Sequence, residues 1–260
     1  MRKNWFVFSI ILFVIFNLYP KESGAYGWGF KKNTDGKIPD IGKYEKILDD
    51  HSVFYADKQT KNDIYLTFDN GYEAGYTTDI LDILLEEDVP ATFFVTGHYV
   101  EQEPKLIKRM VEDGHIIGNH SYHHPDFTSM SKKEIEEELQ LVEDAISDVT
   151  DYDEMKYVRP PRGTFNNQTL KWSSELGYIS VFWSLAFKDW EKNRQQGEQY
   201  AFDNIMEQVH PGAIILLHTV SEDNAEALEK VIQQLKKDGY TFKSLDDLLW
   251  KELIDQDILF

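Results

Sequence analysis

The stretch TFDNG, residues 67–71, places an aspartate and an asparagine after a short apolar run, IYL. An Asn-Gly pair flanked by hydrophobic residues is a strong signal for a hairpin turn. At the end of a strand, the same two side chains can also act as a proton acceptor and a metal ligand. A hairpin needs a returning strand, whereas YEAGYTTDILDILLEED has the pattern of a loop and then a helix. We therefore interpret Asp69 and Asn70 as candidate active-site residues.

The second group of candidate residues is a pair of histidines in HSYHH. His120 and His124 are four residues apart, and this spacing puts both imidazoles on one side of a helical turn. Two histidines and one oxygen ligand, with one position left open, form a hydrolytic metal site. The spacing predicts such a site, with its oxygen ligand supplied by the Asp-Asn pair of TFDNG.

Further polar groups follow other apolar runs: Arg159 ends YV, Asp189 and Trp190 follow VFWSLAFK, and His218 ends AIILL. A carboxylate such as Asp69 can take a proton from water, and His218 can protonate a leaving nitrogen. A cation at Arg159 would lower the pKa of the aspartate. Asp189 would keep His218 oriented and cationic. The residue types therefore predict acid–base hydrolysis assisted by a metal ion.

These side chains can meet only if the elements that carry them end at one edge of the fold. From Ile64 onward, strand-like runs alternate with helical stretches, which predicts parallel strands covered by helices. A closed or nearly closed β/α barrel and an open doubly wound sheet both fit. In both folds the site lies beyond the carboxyl ends of the strands. No Gly-x-Gly-x-x-Gly or Walker-type loop follows a strand, which disfavours a nucleotide-binding sheet.

The strand-like runs are IYLTF, ATFFVTG, HIIGNH, YVRPP, SVFWSLAF, AIILLH and YTFKSL. The helical stretches between them are TTDILDILLEED, PKLIKRMVEDG, SKKEIEEELQLVEDAISDV, NQTLKWSSELG, YAFDNIMEQV and NAEALEKVIQQLKKDG.

Composition excludes several functions. The chain has 260 residues, which is enough for one large domain with a full core. Its formal net charge of -19 argues against nucleic acid and anionic membrane surfaces as partners. It contains no cysteine, so neither disulfides nor a thiol nucleophile contribute.

The N terminus has the order of a secretory signal: Arg2 and Lys3, then the apolar run NWFVFSIILFVIFNLYP, then small residues before a cut after Ala25. The alternative is an uncleaved membrane anchor, for which this run is short. We expect three parts: a signal peptide at 1–25, a polar lead-in with one short helix at 26–62, and the catalytic domain at 63–255.

Five motifs in this order, TFDNG, HSYHH, RPPRG, KDW and LLH, resemble those of the polysaccharide deacetylases, carbohydrate esterase family four. The resemblance covers residues 63 to about 250. It implies a single α/β domain, a distorted (β/α) barrel of about seven parallel strands rather than the usual eight. It also implies metal-assisted removal of acetyl groups from N-acetylated sugars.

The resemblance assigns a role to each candidate by position. The catalytic base and acid are Asp69 and His218, and their tethers are Arg159 and Asp189. The ligands of a divalent metal ion, expected to be zinc, are Asn70, His120 and His124. Groove residues are Trp190 and Arg162, with the backbone N–H of Arg162 as the oxyanion donor.

Two positions depart from the family pattern. Most members have a second aspartate where this chain has Asn70, so the metal ion should be held more weakly. Arg162 replaces a tyrosine and adds a cation at the groove.

Both departures occur together in the muramic-acid deacetylases of spore-forming bacteria, which this chain resembles almost throughout. The implied substrate is N-acetylmuramic acid in peptidoglycan without stem peptide, whose freed amine closes to the muramic δ-lactam of spore cortex. Arg162 suits the lactyl carboxylate, because a guanidinium matches a carboxylate bidentately.

Two other functions fit part of the pattern. An N-acetylglucosamine deacetylase of wall glycan or chitin fragments would carry the same motifs. A glycan-binding protein that has lost its metal ion is supported by Asn70, but retention of both tethers argues against it. We expect a monomer that is exported to the cell wall or the intermembrane (forespore) space and binds a peptidoglycan glycan strand. Its only membrane contact would be an uncleaved N-terminal segment.

Overall fold

The structure is a computed structural model that describes residues 24–257. Most of the signal peptide expected at residues 1–25 lies outside the described residues. Within the described range, no helix has the length and apolar character needed to cross a membrane.

The strands are β1 (Tyr26–Gly27), β2 (Val53–Phe54), β3 (Asp63–Asn70), β4 (Ala91–Val95), β5 (Ile116–Asn119), β6 (Tyr157–Val158), β7 (Thr164–Phe165), β8 (Ile179–Val181), β9 (Ile214–His218) and β10 (Thr241–Phe242). The helices are α1 (Tyr44–Leu48), α2 (Thr77–Glu86), α3 (Gly97–Gln102), α4 (Pro104–Glu112), α5 (Lys132–Val149), α6 (Asn167–Glu175), α7 (Glu198–Gln208), α8 (Glu222–Lys237) and α9 (Leu245–Asp257).

One parallel sheet organises the described chain, with strands in the order β10-β3-β4-β5-β6-β8-β2 and with β9 also paired to β3. Each predicted strand-like run contains one strand of this sheet, and the short β2 joins at its edge. A parallel bridge between Leu185, which follows β8, and Ile215 in β9 curls the sheet back on itself. The prediction of a distorted barrel of parallel strands is therefore confirmed, and the open doubly wound sheet is excluded.

Side chains on the two faces of β3 pack into two different apolar clusters. Leu66 and Phe68 belong to the larger apolar cluster, which contains buried side chains of α2, α4, α7 and α8. Tyr65, on the opposite face, belongs to a second cluster that includes Leu245 and Leu248 of α9. Because successive side chains of a strand point to opposite faces, Asp69 shares the face of Tyr65. Helices α2, α4, α7 and α8 thus cover one face of β3, while the other face packs on α9 and carries the candidate base.

Local sequence explains why the elements begin where they do. In α5, Ser131 and Glu134 form a capping box, and an apolar stripe of the helix is buried. The sequence pattern predicts every helix longer than six residues except α9, and it also misses α3. The six residues of α3 are too few to show a helical period.

Residues 26–62 contact the barrel directly. β1 pairs antiparallel with β7, and the expected short helix is α1. Trp28 stacks on Phe182 with ring centroids 4.6 Å apart, and its indole N–H donates to the carbonyl of Trp183 at 2.9 Å. The lead-in therefore adds two strands and an aromatic cluster to the fold.

A buried charge cluster holds α9 against the first strand of the barrel. The Lys251 ammonium donates to Asp57 Oδ2 at 2.9 Å and also contacts the carboxylate of Asp63. Asp57 is buried and accepts a second hydrogen bond from the Tyr65 hydroxyl at 2.6 Å. The cluster joins the C-terminal helix to the lead-in and β3, from which it is far apart in sequence.

Replacing Lys251 with methionine should lower the free energy of unfolding by about 2 kcal/mol, because it leaves a buried carboxylate without its cation. Lys237→Met, at an exposed lysine near the end of α8, serves as the control and should change stability by less than about 0.5 kcal/mol. Urea unfolding at neutral pH measures both values. Equal stabilities of the two variants would contradict an anchoring role for Lys251.

Candidate active site

A cleft of about 610 Å³ lies beyond the carboxyl ends of the strands. Six of the residues singled out from the sequence line it: Asp69, His120, His124, Arg162, Trp190 and His218. Arg159 and Asp189 lie behind this surface and reach it through Asp69 and His218. The strand-end positions in the sequence therefore converge on one site, although Asn70 itself does not line the cleft.

The floor of the cleft is built on a buried ion pair between Arg159 and Asp69. Arg159 Nη1 donates to Asp69 Oδ1 at 2.7 Å, and Nη2 donates to Thr67 Oγ1 at 2.9 Å. Its Nε donates to the carbonyl of Val181 at 3.1 Å, and the guanidinium lies 4.1 Å from the ring centroid of Phe94. Burying a guanidinium is costly unless it is paired, and each of the three nitrogens of Arg159 has an acceptor here.

Asp69 is set up to act as a base. Burial opposes ionisation, but the charges of Arg159 and His218 hold the pKa of Asp69 below its ordinary value. The second carboxylate oxygen, Oδ2, lies 3.5 Å from His120 Nε2. Asp69 therefore remains ionised at neutral pH and keeps one oxygen on the cleft side.

The pKa of His218, at the end of β9, is shifted in the opposite direction. Its Nδ1 lies 2.8 Å from Asp189 Oδ1, and its backbone N–H donates to Asp189 Oδ2 at 2.9 Å. Burial alone would lower the pKa of His218, but the carboxylates of Asp189 and Asp69 raise it above its ordinary value. The ring of Trp190 lies 5.4 Å from the imidazole. His218 is thus an oriented proton donor facing the base.

Two residues that support the site are missing from the sequence interpretation. Asn224, in the first turn of α8, donates to Asp189 Oδ2 at 2.6 Å and to the carbonyl of His218 at 3.2 Å. Thr67 accepts from Arg159. Thr67 could have been found, because it lies two residues before Asp69 and so faces the same side of β3. Asn224 offers no comparable signal, since its contact with Asp189 spans 35 residues.

The two histidines meet, but not through a helical turn, and that part of the prediction is wrong. His120 and His124 have ring centroids 4.8 Å apart. The chain between them makes a tight bend in which Ser121 and His124 have φ values of 63° and 57°. These left-handed residues reverse the chain after β5, so the imidazoles approach across the bend.

Both imidazoles are prepared as neutral nitrogen ligands. His120 Nδ1 lies 2.8 Å from the carbonyl oxygen of Arg159, so Nδ1 carries the proton and Nε2 keeps its lone pair. Burial lowers the pKa of His120, and burial together with His120 lowers the pKa of His124 to about 4. Neutral imidazoles suit zinc and similar ions.

Asn70 is fully buried at the end of β3. Its amide Nδ2 donates to Thr219 Oγ1 at 2.9 Å, so its Oδ1 is left without a hydrogen-bond partner. Within residues 24–254, no group of three or more histidine, aspartate or glutamate side chains is arranged as a metal site. A third ligand would therefore come from another residue type. The unpartnered amide oxygen and two neutral imidazoles fit a divalent ion by donor type.

Arg162 lies on the rim of the cleft, next to Gly163, in a short 3₁₀ turn after β6. Its backbone is left-handed, with φ of 60°, and its side chain is exposed. It makes no direct ion pair with a carboxylate of the described chain, but its charge lowers the pKa of Asp126, which therefore lies close enough to interact with it. The cleft thus has an unpaired guanidinium available to a ligand.

Comparison with known proteins agrees with this geometry. The family profile described as polysaccharide deacetylase matches residues 56–181. Over 226 residues the chain is 51% identical to the peptidoglycan-N-acetylmuramic acid deacetylase PdaA of Bacillus subtilis, covering 86% of each protein. The chain belongs to the polysaccharide deacetylase family. The predicted family and enzyme class are confirmed: this polysaccharide deacetylase is a hydrolase of amide bonds.

Solved structures of the polysaccharide deacetylase family share the fold. The structure of Bacillus subtilis PdaA, a family 4 carbohydrate esterase, matches with a TM-score of 0.86 and 50% identity, covering 88% of this chain and 99% of that one. A family 4 carbohydrate esterase from Bacillus anthracis matches with a TM-score of 0.73 and 49% identity, covering 87% and 97%. The matched part of this chain therefore forms nearly all of those domains.

The Asp189→Asn variant tests whether Asp189 raises the pKa of His218. Removing the carboxylate removes the main influence that raises the pKa of His218, while burial still lowers it. The alkaline limb of the kcat/KM profile should therefore move to lower pH by about 1 unit. Initial rates of acetate release between pH 5 and pH 10 measure this shift. An unchanged alkaline limb would remove His218 as the group that must be protonated.

The Arg159→Met variant tests whether Arg159 lowers the pKa of Asp69. Without the guanidinium, burial of Asp69 is no longer opposed by its main cation, so the acidic limb should move to higher pH. The protein should also lose about 3 kcal/mol of stability, because a buried carboxylate is left unpaired. Thr67→Val, which removes one hydrogen bond of Arg159 but no charge, is the matched control. If Thr67→Val moves the acidic limb as far as Arg159→Met does, the ion pair does not set the pKa.

Proposed function

We propose that this protein hydrolyses the N-acetyl group of N-acetylmuramic acid in peptidoglycan strands that lack stem peptide. The observation that carries the substrate is Arg162, an exposed guanidinium at the cleft with no ion-pair partner in the described chain. Muramic acid differs from glucosamine by a lactyl ether, which carries a free carboxylate once the peptide is removed. A guanidinium binds such a carboxylate through two parallel hydrogen bonds.

The similarity to PdaA supports the same substrate. That relative is named for N-acetylmuramic acid and is 51% identical over 86% of this chain. The alternative is an N-acetylglucosamine deacetylase of wall glycan or chitin fragments. Glucosamine offers no carboxylate to Arg162, so this alternative leaves the unpaired guanidinium without a role.

In the proposed reaction, Asp69 takes a proton from the attacking water as the water adds to the acetyl carbonyl. His218 donates its proton to the nitrogen as the C–N bond breaks, giving acetate and a free amine. Arg159 keeps Asp69 ionised, and Asp189 keeps His218 protonated and oriented. One residue thus accepts a proton and the other donates one, and the two charges return to their starting values when the products leave.

The remaining site residues hold the acetyl group. A divalent cation such as zinc, held by His120, His124 and Asn70 Oδ1, would polarise the acetyl carbonyl as a Lewis acid. Because Asn70 is neutral, we expect this ion to be held more weakly than in relatives with an aspartate there. The backbone N–H of Arg162 would donate to the developing oxyanion. Trp190 forms one wall of the cleft.

The biological role we propose follows from the product. The freed amine can close on the lactyl carboxylate of the same sugar and form the muramic δ-lactam of spore cortex. This role requires export to the cell wall or the intermembrane (forespore) space, directed by the N-terminal signal at residues 1–25. The glycan strand would be the partner, and we expect a monomer.

The test is acetate release from peptide-stripped peptidoglycan with and without a chelator, followed by mass analysis of the sugars. Loss of acetyl from muramic acid alone, abolished by the chelator and restored by zinc, is the expected result. Loss only from glucosamine would establish the alternative substrate. No release with any added divalent ion would contradict the enzymatic proposal and favour a glycan-binding protein.

Arg162→Tyr tests the role of the guanidinium. It should reduce the preference in kcat/KM for muramic acid over glucosamine by about tenfold, because a hydrogen-bonded charge pair is lost. Arg162→Lys keeps the charge but not the planar guanidinium, so its preference should lie between those of wild type and Arg162→Tyr. Competition between the two sugars in one digest gives the preference directly. The same preference in wild type and Arg162→Tyr would show that Arg162 does not read the lactyl group.

A further inference from the structure

Two large aromatic side chains are exposed on the His218 side of the cleft. Tyr72 and Trp190 are 41% and 49% exposed, and both line the cleft. The other exposed large apolar side chains of the described chain, Leu85, Leu141, Trp250, Leu253 and Ile254, do not line it. Exposed aromatics next to a catalytic group indicate a binding surface rather than chance exposure.

A lysine lies over one of these rings. Lys192 Nζ is 4.2 Å from the ring centroid of Tyr72. Lys188 and Arg194, on the same loop, both pair with Glu191, at 2.6 Å and 3.2 Å. Lys192 makes no ion pair with a carboxylate of residues 24–254. We refer to Tyr72, Trp190 and Lys192 as the aromatic platform.

The loop that carries Trp190 and Lys192 is held in place. Gln195 Nε2 donates to the carbonyls of Asp189 and Glu191, each at 3.1 Å. Gln195 Oε1 accepts from Ser221 Oγ at 3.0 Å and from the backbone N–H of Asp223 at 3.1 Å. Binding to a loop that is already ordered loses little conformational entropy, so the platform is suited to contribute affinity.

We infer that the aromatic platform binds a neighbouring sugar of the same glycan chain, next to the sugar whose acetyl group is removed. This inference rests on the proposed function, in which the ligand is a peptide-free peptidoglycan strand. A pyranose ring has an apolar C–H face that packs on an aromatic ring, while its hydroxyls remain in water. Because glucosamine and muramic residues alternate along the strand, Lys192 pairs with the lactyl carboxylate of the muramic residue that follows this neighbouring sugar.

Two cations at the cleft favour this ligand, although the net charge of the protein opposes it. The protein has a formal net charge of -19, so a glycan with a carboxylate on every muramic residue is repelled by most of its surface. Arg162 and Lys192 are cations without ion-pair partners in the described chain, one on the cleft rim and one over a cleft side chain. Two such cations suit a ligand with more than one carboxylate. A chitin fragment, which has none, would use the rings alone.

The experiment compares a disaccharide with a tetrasaccharide of peptide-free glycan, both prepared by muramidase digestion. In wild type the tetrasaccharide should have the lower KM. Tyr72→Ala should raise the KM of the tetrasaccharide about fivefold, and that of the disaccharide less, because a ring stack with the extra sugar is lost. Tyr72→Phe, which keeps the ring, should retain the wild-type ratio of the two KM values. Trp250→Ala, an exposed aromatic outside the cleft, is the control for general effects of the truncation.

A second set of variants tests whether the positive charge of Lys192 contributes to binding of the glycan. Lys192→Met should raise the KM of the tetrasaccharide about threefold, and this effect should disappear when the lactyl carboxylates are reduced to alcohols. Lys171→Met, at an exposed lysine of α6, is the matched control. An equal effect of Lys192→Met on native and reduced chains would overturn the pairing with a carboxylate. Equal KM ratios in wild type and Tyr72→Ala would overturn the platform itself.

Binding separates this inference from the proposed function. Calorimetry with the same tetrasaccharide and disaccharide measures affinity without turnover. If no acetate is released from either chain, the proposed function fails, and the affinities still decide the platform. Weaker binding of the tetrasaccharide by Tyr72→Ala would support it. No binding by wild type, or the same affinity in both proteins, would overturn it.

Discussion

The site depends on one buried guanidinium. The side chain of Arg159 neutralises Asp69, and its carbonyl accepts the proton on His120 Nδ1. One residue therefore keeps the base ionised and also fixes which nitrogen of a proposed metal ligand is free. Its other donors reach Thr67 in β3 and Val181 in β8, so the guanidinium bridges strands across the barrel interior. Because a buried cation is costly unless it is well paired, and these partners lie on different strands, the curled sheet is what accommodates Arg159.

The proposed acid and base affect each other's pKa, and each also has a partner of its own. Each has its own partner of opposite charge, Arg159 for Asp69 and Asp189 for His218. In addition, the charge of His218 lowers the pKa of Asp69, and the charge of Asp69 raises the pKa of His218. Protonated histidine and ionised aspartate thus stabilise each other across the cleft. This mutual effect therefore favours the protonation states that the proposed mechanism requires.

Much of this arrangement is readable from the sequence, because strand–helix alternation puts the carboxyl ends of parallel strands at one edge. The motif residues at strand ends follow from that rule alone. Contacts that bring distant segments together do not. The bridge from Leu185 to β9 closes the sheet, and the contact from Asn224 to Asp189 fixes the acid, but neither has a local pattern. The bend at His120–His124 was misread for a different reason: a spacing of four fits a helical turn, but two left-handed residues also bring i and i+4 together.

Electrostatics gives a physical reason for a neutral residue at position 70. In the described cleft, the carboxylate of Asp69 is paired with Arg159, and His120 and His124 are uncharged near neutral pH. A second carboxylate at position 70 would hold a divalent ion more strongly, but it would add a negative charge close to an anionic sugar. Asn70 keeps an oxygen donor without that repulsion. In a protein with a strongly negative net charge, the proposed neutral ligand and Arg162 would together favour a substrate with a carboxylate over one without.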